Sequence, residues 1–110
     1  MEQALLVLTN VPDAAIATKI ARQLVEQRLA ACVNVLPQVQ SFYRWQGMIE
    51  EAGELTLLIK TTQARYNELE AAIKALHPYD LPEVIAMPIV QGLPHYLDWI
   101  VQETKKDMNV

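Results

Sequence analysis

The chain has 110 residues, 52% of them hydrophobic and 20% charged, with a formal net charge of -4 at pH 7. That length suits one domain able to bury roughly two-thirds of its unfolded surface, and the composition excludes a disordered tail. No apolar run approaches the roughly 20 residues of a membrane helix, and the nine Lys and Arg are scattered rather than striped. Neither a membrane nor a nucleic acid is therefore expected as a partner.

Cys32 is the single cysteine, which excludes an internal disulfide and a four-cysteine zinc site within one chain. Met1-Glu2-Gln3 leads straight into an apolar stretch, without the basic segment and small-residue cleavage site of a secretory signal. A cytoplasmic location is the expectation.

Ala4 to Leu8 is a short apolar run closed by Thr9-Asn10 and Val11-Pro12-Asp13, the pattern of a strand buried on both faces. Asp13 is a good helix N-cap. Behind it Ile16, Ile20, Leu24 and Val25 recur at helical spacing, with Lys19, Arg22, Gln23 and Glu26 elsewhere on the wheel, which predicts a helix of about four turns. From Ala31 to Trp45 the chain is β-like, and Pro37 marks a bulge or an edge strand. Gln46-Gly47 supplies a turn. The return stretch, Met48 to Thr61, is interrupted at Ala52-Gly53 and ends as the strand-like Leu55-Thr56-Leu57-Leu58-Ile59-Lys60. Each arm is thus about 14 residues where about 5 or 6 is usual, so the hairpin is expected to project or to bend at Pro37 and Gly53. Its aromatic tip asks for a partner.

Thr62 can cap a second helix with Tyr66, Leu69, Ile73 and Leu76 as its apolar stripe and Arg65, Glu68, Glu70 and Lys74 on its wet side. His77-Pro78-Tyr79-Asp80-Leu81-Pro82 breaks that helix. Val84 to Val90 reads as a last strand, and a third helix from Pro94 to about Lys105 turns Leu97, Ile100 and Val101 inward, with Lys105 and Lys106 at its C-terminal end. The element order βαββαβ plus a helix is that of one α+β, ferredoxin-like domain over residues 1–110.

Five ordered stretches carry a family resemblance over about residues 5 to 100. They are Leu29-Ala30-Ala31-Cys32-Val33-Asn34, Tyr43-Arg44-Trp45-Gln46-Gly47 followed by Ile49-Glu50-Glu51, Ile59-Lys60-Thr61-Thr62, His77-Pro78-Tyr79-Asp80-Leu81-Pro82-Glu83, and Tyr96-Leu97-Asp98-Trp99-Ile100. On these residues the chain resembles the CutA divalent-cation-tolerance family. The resemblance implies a ferredoxin-like subunit in a tight homotrimer held by long hairpins and C-terminal segments, similar in architecture to PII-type regulators. It also implies a role in the response to metal ions. Some members are credited with a copper site built from a cysteine before the first Pro-Asp loop and two adjacent histidines before the Pro-Tyr. Those positions here read Thr9, Leu76 and His77, so the resemblance leaves His77 as the one ligand for Cu(II) or another divalent cation, and any such binding is expected to be weak.

The residues themselves keep alternatives open. His77 can present a ring nitrogen to a late divalent metal, or can cap helix carbonyls and pack on Tyr79. Cys32 is a soft ligand or a small buried hydrophobe. Lys60 and Glu83 suggest a charged pair at an intersubunit cleft near Tyr79 where a small anion sits, or a salt bridge that fixes strand ends. Phe42, Tyr43 and Trp45 read as trimer contacts before they read as a ligand platform, and Trp99 with Tyr96 as residues that dock the last helix, Trp99 at the subunit boundary. His95 is expected to face solvent. Glu50-Glu51 and Glu103 with Asp107 are solvated surface carboxylates. Three glycines form no phosphate loop, and neither a Gly-x-Ser-x-Gly elbow nor a His-Glu-x-x-His helix is present, so no enzyme is expected. The leading expectation is a non-enzymatic, trimeric, metal-responsive protein. The second is a small-molecule-sensing or protein-binding trimer like the PII regulators, using clefts near Lys60, Tyr79 and Glu83, and the third is a purely structural assembly platform.

Overall fold

The computed structural model describes residues 2–106. Its elements are β1 (Ala4–Val11), α1 (Ala14–Glu26), β2 (Cys32–Trp45), β3 (Met48–Thr62), a single 3-10 turn (Gln63–Arg65), α2 (Tyr66–Leu76), β4 (Ile85–Pro88) and α3 (Pro94–Glu103). The strands form one antiparallel sheet in the order β2-β3-β1-β4. This is the α+β, ferredoxin-like arrangement with an added C-terminal helix that the sequence led us to expect.

Local chemistry sets the element ends. Asp13 Oδ1 accepts the Ile16 amide at 2.9 Å, satisfying one of the orphan donors at the start of α1. At the other end Arg28 takes φ 57°, and the Arg28 and Leu29 amides donate to the Val25 and Leu24 carbonyls at 3.1 and 2.9 Å. That is a Schellman closure with arginine in the position glycine usually fills. The β2–β3 hairpin closes through Gln46 and Gly47 at φ 51° and 81°, the two positive values a tight two-residue turn requires.

Pro37 and Gln38 sit in a register shift between Leu36↔Thr56 and Val39↔Glu54, with Gln38 at φ 61°. β2 is also an edge strand, so Pro37 marks both a bulge and an edge. No break occurs at Ala52-Gly53: both residues pair, with Ser41 and Gln40, because the partner strand absorbs the irregularity at its own bulge.

Alternation divides the sheet into two unlike faces. Leu5, Val7 and Val11 on β1 join Leu57 and Ile59 on β3 and pack against Ile20 and Leu24 of α1 and Leu69 and Ile73 of α2 in one core. The opposite face carries Leu6, Leu8 and Asn10, with Lys60, Leu58 and Thr56 across from them on β3 and Met87 and Ile85 on β4. α3 covers only one end of it, where Ile100 packs with Ala4 and Ala31. β1 is therefore buried on one face and half-buried on the other, and runs to Val11 rather than stopping at Leu8.

Several side chains depart from the sequence expectation. Val25 is exposed and Ala17 takes the buried place in α1, since Val25 lies a further 100° around the helix from Leu24. Arg65 is buried rather than wet, because its guanidinium bonds Glu68 at 3.0 Å and the Arg28 carbonyl at 3.4 Å. Thr62 makes no side-chain cap, and the 3-10 turn separates it from α2. β4 has four residues and ends at Pro88, where a strand from Val84 to Val90 was expected. The Lys105-Lys106 pair falls beyond the last turn of α3, and Asp107 lies outside the described residues.

β1 pairing stops at Val11↔Leu55, so residues 37–54 continue as a two-stranded ribbon with no third strand beside them. The Cα radius of gyration, 14.7 Å, exceeds the roughly 13 Å of a compact chain of this length, and the ribbon accounts for the excess. Among the described residues one buried side-chain polar atom, Thr9 Oγ1, has no hydrogen-bond partner. Replacing it by the near-isosteric Thr9→Val is expected to stabilise the fold by up to about 1 kcal/mol, measured as a higher denaturation midpoint. A lower midpoint would mean that the hydroxyl has a partner.

Candidate functional site

His77 ends α2 and is 8% exposed. Its Nε2 lies 2.6 Å from the carbonyl oxygen of Asn10, and its Nδ1 accepts the Tyr79 amide at 3.2 Å. A carbonyl can only accept, so Nε2 carries the proton and both ring nitrogens are in use. The ring also packs against Tyr79 at 4.6 Å between centroids. Its partners are thus β1 and the following loop, not the helix carbonyls. Thr9 is fully buried and Leu76 packs against the core, and neither offers a metal a strong ligand. Among the described residues no three His, Cys, Asp or Glu side chains converge to hold a metal ion.

The rigid His77-to-Pro82 loop places Tyr79 over the point where the hairpin leaves the sheet. Its hydroxyl donates to Glu54 Oε2 at 2.8 Å. The β3 register puts Glu54 opposite Val39 at the base of the ribbon, and its carboxylate is buried. Burial first, then the bond to Glu54 and its negative charge, push the Tyr79 hydroxyl above the ordinary tyrosine range. Around this contact opens a cleft of about 740 Å³, lined by Tyr43, Arg44, Trp45, Asp80 and Glu83 among others.

Lys60 is not in that cleft. Its ammonium donates to Asn34 Oδ1 and lies 3.8 Å from Cys32 Sγ, on the row Cys32↔Lys60↔Leu6 of the open sheet face. Within one chain, Lys60 and Glu83 form no pair among the described residues, and the cleft beside Tyr79 carries Glu54, Asp80 and Glu83 against Arg44. Cys32 is partly exposed, and Tyr96 from α3 reaches it. Burial and then the neighbouring Cys32 raise the Tyr96 hydroxyl. Trp99 stacks near Tyr96 at 5.5 Å yet remains exposed, as do Phe42, Tyr43, Trp45 and His95.

Glu54 is the residue that sequence reasoning missed. The available signal was its parity with Thr56 and Leu58, which puts a carboxylate on a largely apolar face just where β1 gives out.

A tyrosine whose folded-state pKa lies above the ordinary 10.0 contributes stability that is complete below that pH and lost as pH rises through the native value. Tyr66, pushed up to about 12 by burial and by Glu70, and Tyr79 are both expected to ionise late in a phenolate absorbance titration. Glu54→Gln should bring the Tyr79 step down toward pH 10, read as a difference against Tyr79→Phe. An unmoved step would remove Glu54 as a contributor.

Residues 5–103 match the family model described as CutA1 divalent ion tolerance protein. The divalent-cation tolerance protein CutA of Thermus thermophilus is 51% identical over 98 residues, 89% of this chain and 95% of that protein. The crystal structure of CutA from Xylella fastidiosa superposes with a TM-score of 0.91 at 48% identity, covering 93% of this chain and 98% of the other. Relatives are named for different compartments. The Arabidopsis thaliana protein called chloroplastic is 39% identical over 93% of this chain and 56% of its own length. The Archaeoglobus fulgidus structure called periplasmic has a TM-score of 0.90 at 37% identity, over 93% of this chain and 99% of that one. With the family match spanning β1 to the end of α3, and the Thermus thermophilus protein 51% identical over 95% of its own length, the chain belongs to the CutA1 divalent ion tolerance family.

Proposed function

We propose that the protein acts in divalent-cation tolerance as a non-enzymatic, cytoplasmic homotrimer that binds copper or similar divalent cations weakly. Family membership carries the cation role. The assembly rests on one observation: a ribbon and a sheet face that a single chain leaves apolar and uncovered. Phe42 is 66% exposed, Met48 65% and Ile49 70%, and Ile85 and Met87 add further exposed apolar area beside Leu6 and Leu8. An isolated two-stranded ribbon is marginal in water, and patches of this kind mark interfaces. Closed symmetry gives every copy the same cover. In this reading Tyr43, Trp45 and Trp99 are subunit contacts.

His77, at the end of α2, is the one position of the copper site implied by the family resemblance that carries a ligating side chain here. To ligate, its Nδ1 must give up the Tyr79 amide, a geometry that accounts for weak binding and leaves Nε2 anchored on Asn10. The family match does not favour the alternative of a PII-like small-molecule-sensing or protein-binding trimer.

Two measurements test the proposal. Trp45→Asp is expected to convert the trimer to smaller species in sedimentation velocity, whereas an unchanged coefficient would exclude the ribbon tip as a contact. Calorimetric titration with Cu(II) at about pH 8, where a free imidazole is neutral, should give heat in the wild type and little in His77→Ala. Equal heats from both would place the cation elsewhere.

A further inference from the structure

Three softening features meet at one level of the sheet. β1 gives out at Val11↔Leu55, so from Glu54 outward β3 has a neighbouring strand on one side only. On that neighbour the register slips between Leu36 and Val39, with Gln38 at φ 61°, and a bulge of this kind bends and twists the strand that carries it. On β3 itself the adjoining residue is Gly53, where an added Cβ would meet nothing within 4 Å, and glycine leaves the backbone freer than any other residue. A two-stranded ribbon is marginal by itself, and these features gather its freedom at its base.

One line of contacts within the chain spans this level. The Tyr79 hydroxyl donates to Glu54 Oε2 at 2.8 Å, and Glu54 is 7% exposed. A hydrogen bond to a charged group withdrawn from water is stronger than a neutral, exposed one. The other end of the line is fixed. The Tyr79 amide donates to His77 Nδ1 at 3.2 Å, His77 Nε2 holds the Asn10 carbonyl at 2.6 Å, and the two rings pack at 4.6 Å between centroids. Asn10 is the last residue but one of β1. The Tyr79 loop therefore carries the support of β1 across to the ribbon at the point where β1 itself stops. Asn10, His77, Tyr79 and Glu54 all belong to one protomer, and none of them is among the subunit contacts Tyr43, Trp45 and Trp99.

We propose that the base of the ribbon is a hinge and that the Tyr79 hydroxyl on Glu54 is the latch that sets its direction, so that each chain presents a ribbon already aimed at its neighbour. Tyr79 is a positioning residue for assembly, acting through Glu54 rather than by touching a partner. The consequence for assembly rests on the trimer reading, while the latch itself is a property of the single chain. Ordering the ribbon beforehand reduces the conformational entropy lost when subunits meet.

The test uses the assembled protein and Tyr79→Phe, which keeps the ring beside His77 and removes only the hydroxyl. Amide hydrogen exchange read by mass spectrometry is expected to rise about tenfold or more in peptides covering residues 36–42 and 50–55, as loss of a bond to a charged group implies, and to stay unchanged in β1 and α1. Subunit exchange between nitrogen-15-labelled and unlabelled protein, followed by native mass spectrometry, should speed up by a similar factor at unchanged stoichiometry. Glu54→Gln keeps an oxygen for the hydroxyl and should fall between wild type and Tyr79→Phe. It carries the same readouts should Tyr79→Phe fail to fold. Unchanged hydrogen exchange at the ribbon base, or a rise shared equally by β1 and α1, overturns the latch. A faster base with unaltered subunit exchange overturns its role in assembly. If Trp45→Asp leaves sedimentation unchanged while Tyr79→Phe loosens the base, the latch is upheld and what fails is the ribbon tip as a subunit contact.

Discussion

The pairing of β3 with β1, in register from Ala4↔Thr62 to Val11↔Leu55, is the constraint on which the rest of the molecule rests. β3 has 15 residues and β1 has 8, so the sheet is wide at one end and narrows to two strands at the other. The wide end builds the domain: its inner face gathers Val7, Leu57 and Ile59 under α1 and α2. The narrow end is held by hairpin hydrogen bonds and, at its base, by the Tyr79 hydroxyl on Glu54, and carries the apolar side chains that one chain does not cover. At the step between the two, where Leu55 is the last β3 residue with β1 beside it, the chain places Glu54 and the Tyr79 loop.

Much of the fold was legible because its signals are local. The apolar spacing of α1 and α2, Asp13 as a cap, the Gln46-Gly47 turn and the two long arms each reflect a preference that neighbouring residues settle among themselves. Errors arose where distant contacts decide. Arg65 looks like a surface residue on a helical wheel and is buried because Arg28, across a chain separation of 37 residues, offers it a carbonyl. Gly53 looks like a break, yet it pairs with Gln40 because the mismatch was already taken up at Pro37 on the other strand. Val25 sits next to Leu24 in the sequence but turns away from the sheet.

The candidate site was legible in part for the same reason. His77, Tyr79 and Glu83 share one short proline-bounded loop and could be singled out together. Their partners could not be. Asn10 reaches His77 from β1, and Glu54 reaches Tyr79 from the middle of β3; both contacts depend on tertiary placement. Within its own chain, strand parity turns Lys60 toward Cys32 and Asn34. The imidazole, tied at both nitrogens, works in the single chain as a strut that fixes the angle between the end of α2 and β1, and through the Tyr79 amide it orients the ring that covers Glu54.

Both outer strands of the sheet carry a proline, Pro37 in β2 and Pro88 in β4, and β2 is further deformed by its bulge. A proline cannot donate to a new neighbour, and a bulge turns the strand out of line, so neither rim is a good template for an added strand. A chain with this much uncovered apolar surface would otherwise be a hazard for fibrillar growth at high concentration. With both rims made poorer templates for strand addition, the broad face and the ribbon hold the uncovered apolar area. Contacts of that kind can be completed by a fixed number of copies, and growth then stops.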